Sequence, residues 1–130
     1  MTRLKSSTVF LVGLGNIGSH LAALLARLWD LVGVLYLVDF DRYEPGNSSG
    51  QDIGPDAFGL YKAEHHARRL RGLSPGLAVT ALIERFEALP QGLIGKADLI
   101  IGAVDSRTTR RSISRAACRL GIPYLDGGVA

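Results

Sequence analysis

Residues 8–18 read Thr8-Val9-Phe10-Leu11-Val12-Gly13-Leu14-Gly15-Asn16-Ile17-Gly18. The run Thr8–Val12 is β-rich and almost wholly apolar, and it stops at Gly13. Continuous rather than alternating apolar character predicts a strand covered on both faces. Beyond the glycines, Ile17, Leu21, Leu24, Leu25 and Leu28 recur at spacings of three and four, which predicts a helix over Asn16–Leu28. The glycines therefore spell G-x-G-x-x-G between a strand and a helix, the context in which that motif carries meaning. Gly13 serves a tight turn, Gly15 lets backbone approach a phosphate, and Gly18 lets helix and strand pack closely. Asn16 opens the helix, whose free N–H groups and positive dipole end suit an anion.

The same logic extends along the chain. Val34–Val38 predicts a second buried strand ending at Asp39, about 20 residues beyond Gly18, where an acid accepts hydrogen bonds from ribose hydroxyls. A polar loop, Phe40 to Asp52, follows. Asp56 to Arg71 predicts a helix preceded by Pro55, Leu77–Ile83 a third strand and Ala97–Val104 a fourth that runs into Asp105. Ser106 to Leu120 predicts a helix stopped by Gly121, and Ile122–Leu125 a fifth strand. Alternating strands and helices with buried strands give a Rossmann-like, doubly wound α/β fold, with a parallel sheet ordered 3-2-1-4-5 and helices on both faces. This pattern predicts nucleotide binding but leaves the nucleotide open: NAD, FAD, a methyl donor and ATP all use such a turn.

Composition narrows the class. The chain has 130 residues, one domain's worth, and 47% are hydrophobic, which excludes a disordered chain. A single cysteine excludes a disulfide framework or a cysteine-built zinc site within it. No apolar stretch reaches the roughly 18 to 20 residues of a membrane span. Arg3 and Lys5 are followed by no signal-peptide pattern, so a cytoplasmic setting is expected. The net charge of +3 is compatible with a polyanion such as ATP or nucleic acid. Arg107, Arg111, Arg115 and Arg119 recur every four residues and predict one solvated helix face. A nucleic-acid surface would add aromatics or a known module, and neither is visible.

The loop Asp39-Phe40-Asp41-Arg42-Tyr43-Glu44-Pro45-Gly46-Asn47-Ser48-Ser49-Gly50-Gln51 is more polar than a simple dehydrogenase needs. With the glycine turn, Asp39-x-Asp41, Asn47, Gln51, Gly54, Lys62, Asp105 with Arg110, and Cys118 ahead of Ile122-Pro123, the sequence resembles the ThiF/MoeB superfamily, which includes the ubiquitin-activating enzymes. The resemblance spans essentially the whole chain.

It implies ATP and Mg²⁺ as cofactors, and adenylation of a C-terminal carboxylate on a ubiquitin-like or sulfur-carrier protein or a peptide. It also implies a homodimer. By the resemblance, Lys62 matches a phosphate-binding lysine and Asp105 the aspartate that holds Mg²⁺. Asn47 and Gln51 match a nucleotide-contacting loop, and Asp41 a second acidic position. Catalysis of such a step requires cations and N–H donors aimed at phosphate oxygens. Each residue also has a plainer reading. The plainer readings make Lys62 a surface helix lysine, Asp105 a helix N-cap and Asn47 a turn residue. Arg110 reads as structural, His65 and His66 as surface or partly packed side chains, and Cys118 as a core thiol.

Two departures stand out. Gly50 takes the place of an arginine that reaches the phosphates in the family, with Arg42 or another chain the available replacements. Residues 1–130 also correspond to the nucleotide-binding part of a longer family domain, whose remainder would carry antiparallel strands, much of the dimer interface and a catalytic cysteine. Two other readings stay open: an NAD-dependent oxidoreductase domain, and a pseudo-activating subunit that binds nucleotide without turnover.

Overall fold

The computed structural model describes residues 7–28, 32–43 and 59–127. Five strands, β1 (Ser7–Val12), β2 (Val32–Val38), β3 (Ala78–Leu82), β4 (Leu99–Gly102) and β5 (Tyr124–Asp126), form one all-parallel sheet ordered β3-β2-β1-β4-β5. That is the expected doubly wound order. The strand β1 lies at the centre, with Val9 opposite both Leu35 and Leu99.

Alternation of side chains along the strands divides the core into two layers. Val9, Leu11, Leu35, Leu37 and Ile101 face α1 (Asn16–Ala26) and α2 (Lys62–Leu73). Phe10, Val12, Val38 and Ile100 face α4 (Arg107–Leu120) and the short helix α3 (Gln91–Ile94). The continuous apolar reading of the strands follows from this two-sided burial. The sequence pattern did not foresee α3 or the 3₁₀ turn Phe86–Ala88, each only about one helical turn long.

The apolar stripe expected on α1 is corrected in part: Leu21 and Leu25 pack partly buried against the core, but the helix's fully buried face is made of smaller residues. Gly18, Ser19, Ala22 and Ala26 are its buried residues, while Ile17, Leu24 and Leu28 are 40%, 53% and 45% exposed. The cause is Gly18, where an added Cβ would lie 1.8 Å from the Gly13 carbonyl oxygen. That contact fixes the helix rotation, and the four-residue repeat from Gly18 brings Ala22 and Ala26 inward. The matching small residues on α2, Ala63 and Ala67, are also fully buried. Ser74, beyond α2, donates from Oγ to the Ala26 carbonyl at 2.8 Å and ties the two helix ends together.

The start of α2 is also corrected. Residues 59–61 are not helical: Gly59 has φ +87°, and Tyr61 bridges antiparallel to Arg42. Helix begins at Lys62. Residues 56–58 lie outside the described residues. At α4 the N-cap is Ser106, whose Oγ accepts from the Thr109 N–H at 3.2 Å, and Gly121 ends the helix in the left-handed conformation. Asp105 is therefore not the cap. Cys118 is exposed, against the core reading. Ile113, Ala116 and Ala117 occupy the inward face of α4, and position 118 turns past it. Arg107, Arg111, Arg115 and Arg119 are all exposed, as the four-residue spacing predicts.

Candidate functional site

The C-terminal ends of β1 to β4 open onto one cleft of about 520 Å³. Its lining includes Gly13, Leu14, Gly15, Asn16, Asp39, Phe40, Asp41 and Lys62, and also Glu84, Arg85, Asp105 and Thr109. This is the crevice where open α/β sheets bind ligands. The structure thus brings seven of the expected site residues to one cavity: Gly13, Gly15, Asn16, Asp39, Asp41, Lys62 and Asp105. Gly18 sits behind it, against Gly13. Asn47, Gln51 and the Gly50 departure lie outside the described residues.

The three glycines of the turn are sterically distinct. Gly13 has φ +99°, and a Cβ there would approach the Ala103 carbonyl oxygen to 2.6 Å. Gly18 has no room because of Gly13 itself. Gly15 differs: its φ of −73° is ordinary, and a Cβ would meet nothing within 4 Å. The space over Gly15 is open cleft, beside the first N–H groups of α1.

Asp39 reaches across to this turn. One carboxylate oxygen accepts the Leu14 N–H at 2.7 Å and the other the Asp41 N–H at 2.8 Å. Burial pushes the Asp39 pKa above its ordinary value, opposed by those two N–H bonds and by the Lys62 charge. For an acid raised in this way, the folded protein holds the proton more tightly than the unfolded chain. The stability contributed by protonated Asp39 is therefore full below about pH 4 and falls as pH rises through the raised folded pKa. We expect the urea midpoint of Asp39→Asn to gain on that of the wild type between pH 4 and pH 7. A gap that moves the other way contradicts burial as the leading cause.

Lys62 is the first residue of α2 and only 7% exposed, so it is not a surface lysine. Its N–H donates to the Asp41 carbonyl at 2.9 Å, linking the two expected site residues through backbone. Asp105 is exposed at the lip beyond β4. Arg110 pairs with Asp126 at 2.7 Å, the structural role expected of it.

Sequence reasoning missed the far wall of the cleft. The Arg85 guanidinium lies 4.2 Å over the Phe40 ring, at the ends of β3 and β2. The position of Glu84–Glu87 just past a strand's C-terminal end was the available signal. Arg42 is not the cleft's extra cation: it donates to the Tyr61 hydroxyl at 2.8 Å and stacks on that ring.

A family model, the ThiF family, matches residues 1–130. The chain belongs to the ThiF family. Ubiquitin-like modifier-activating enzyme 5 of Culex quinquefasciatus is 30% identical over an alignment of 141 residues, covering 98% of this chain and 35% of that protein. The structure of E. coli tRNA N6-threonylcarbamoyladenosine dehydratase, TcdA, in complex with AMP superposes with a TM-score of 0.84 at 28% identity. It covers 95% of this chain and 50% of that one. The same E. coli enzyme in complex with ATP gives a TM-score of 0.80 at 26% identity, covering 95% and 51%. The chain thus spans about a third of the curated relative's length and about half of these solved chains.

Proposed function

We propose that residues 1–130 form the ATP-binding part of an adenylating domain, which activates a carboxylate as an acyl adenylate. The observation that carries this reading is the meeting of an open Gly15, a buried Lys62 and the Asp39 and Asp105 carboxylates in one cleft. An oxidoreductase reading uses the glycines and Asp39 but leaves the buried Lys62 of the cleft lining without a role. The ATP-bound and AMP-bound relatives support the choice of nucleotide.

In this reading the triphosphate lies over Gly13, Gly15 and the Asn16 end of α1, whose N–H groups meet phosphate oxygens. Asp39 and Asp41 stand on the ribose side. The base extends toward β3 and the Phe40–Arg85 wall. Lys62 neutralises phosphate oxygens, and Asn47 and Gln51 complete the polar loop. A substrate carboxylate oxygen attacks the α-phosphorus, the bond to the bridging oxygen of pyrophosphate breaks, and pyrophosphate leaves. Negative charge on the phosphate oxygens grows in that step, where a fixed ammonium and fixed N–H groups stabilise it most. Arg85 supplies a guanidinium to a cleft in which Gly50 replaces the family's arginine.

Asp105 fits Mg²⁺ as a single exposed carboxylate, since that ion takes one or two carboxylates and completes its shell with phosphate oxygens and water. Bound there, the ion would neutralise phosphate charge. The name of the curated relative supports a ubiquitin-like carrier's C-terminal carboxylate as the group activated. The reading also carries the homodimer that the family resemblance implies and the cytoplasmic setting expected from the sequence.

Calorimetric titration with ATP·Mg²⁺ and with NAD tests the proposal. We expect ATP·Mg²⁺ to bind in the micromolar range, about −8 kcal/mol, and NAD at least tenfold more weakly. NAD binding without ATP binding, or binding of neither, defeats it.

A further inference from the structure

Beneath Lys62 lies a buried pair that the nucleotide reading does not use. Tyr43 and His66 are both fully buried, and the Tyr43 hydroxyl is hydrogen-bonded to His66 Nε2. His66 lies one helical turn beyond Lys62, on the same face of α2. The Lys62 ammonium stands 5.5 Å from the Tyr43 ring centroid. The ring therefore touches both residues of one helix turn, its hydroxyl at His66 and its face at Lys62. His65 packs edge-on against the same ring at 5.5 Å. The backbone closes the arrangement. The Tyr43 N–H donates to the Leu60 carbonyl at 2.9 Å, and the Gly59 N–H donates to the Tyr43 carbonyl at 2.7 Å.

We propose that Tyr43 and His66 are positioning residues that hold the Lys62 ammonium toward the cleft. A lysine ammonium rides on a flexible four-carbon stem and loses much freedom when it is fixed in one place. A rigid ring beneath the ammonium removes most of those alternatives before any ligand arrives, and the electron-rich ring face favours the cation. The ring can do this only if it is itself fixed, and the His66 hydrogen bond fixes its free end. The role in binding rests on Lys62 meeting phosphate as proposed above; the positioning itself does not.

The test uses the full chain labelled with ¹³C-lysine. Its three lysines are Lys5, Lys62 and Lys96, so Lys62 is assigned by comparison with Lys62→Arg. In the wild type without ligand, the Lys62 Hε protons are expected upfield of the other two because of the Tyr43 ring current. Tyr43→Leu moves them to the ordinary lysine position and weakens ATP·Mg²⁺ binding about tenfold. Tyr43→Phe keeps the ring but lacks the hydroxyl that His66 holds, so it loses most of the shift, as His66→Leu does. His66→Leu loses the shift, and His66→Gln, which retains a hydrogen-bond partner, restores it. Should Tyr43→Leu fail to fold, the Tyr43→Phe and His66 comparisons carry the test. An ordinary Hε position in the wild type, or one unchanged in His66→Leu, overturns the proposal. A normal ring-current pattern in a chain that binds no ATP upholds the positioning and defeats the nucleotide reading instead.

Discussion

Gly18→Ala is expected to unfold the chain at a markedly lower temperature, whereas Gly15→Ala leaves the fold and removes the ligand. At Gly18 the new Cβ would lie 1.8 Å from the Gly13 carbonyl oxygen and 2.7 Å from its carbonyl carbon. Both are backbone atoms, so no side chain can swing aside. Relief requires α1 to move off β1, and α1 carries Ala22 and Ala26 into the core. Overpacking in a core costs about 1–3 kcal/mol, and a clash with backbone belongs at the upper end. For a domain of this size, about 3 kcal/mol lowers the melting temperature by roughly 10 °C. At Gly15 the new Cβ meets nothing within 4 Å, and φ is −73°. The fold loses only the preference of a helix N-cap for glycine over alanine, about 1 kcal/mol or less. The methyl group instead fills space over the turn where a phosphate would approach, and ATP affinity is expected to fall at least about tenfold, or 1.4 kcal/mol. Thermal melts and ATP titrations of the two variants measure both. A Gly15→Ala protein that binds ATP normally would show that phosphate does not come close to this turn.

The contrast between these glycines also marks what the sequence could tell. A strand, three glycines and a helix at fixed spacing require a local geometry, and the sheet order follows from rules of connection and handedness. Asp39 was legible because it ends a strand at a set distance from the turn. Lys62 was legible only through the family resemblance, since a lone lysine near a helix start has no spacing signal of its own; Asp105 was legible as a strand-end residue, but its role came from the resemblance. What stayed hidden was the rotation of elements about their axes. The leucines of α1 have a helical repeat, yet the face against the sheet is decided by Gly18 touching Gly13, a contact of two backbones. Cys118 sits among alanines but falls beyond the inward face of α4. His66 has polar residues two positions away on either side, Glu64 and Arg68, yet is fully buried, with Tyr43 offering it a partner from another segment. The Phe40–Arg85 stack joins residues from the ends of two strands, and no sequence period connects them.

Lys62 is the position where charge and packing can be separated. Lys62→Met keeps an unbranched stem of similar length beside Tyr43 and removes only the ammonium. Because the residue is 7% exposed, the methionine side chain fills the same buried space, and the stability cost is confined to losing the charge that favours the buried Asp39 carboxylate. Binding should respond differently. A hydrogen bond from a charged donor contributes about 1.5–3 kcal/mol, so its loss weakens ATP about 10- to 100-fold. If the ammonium meets the outer phosphates, AMP lacks most of that contact and should weaken by no more than about threefold. The ratio of ATP to AMP affinity therefore reads the charge, and the melting temperature reads the packing. Lys62→Arg is expected to restore little, because a planar guanidinium is broader than an ammonium and the position is only 7% exposed. The ATP loss should also shrink at high salt if the ammonium acts through long-range charge, and persist if it makes a direct contact within the cleft. Equal weakening of ATP and AMP in Lys62→Met would move the lysine's contact from the outer phosphates to the nucleoside end. No weakening of either would remove Lys62 from the site altogether. It would leave its burial as a matter of how α2 starts against Asp41 and Tyr43.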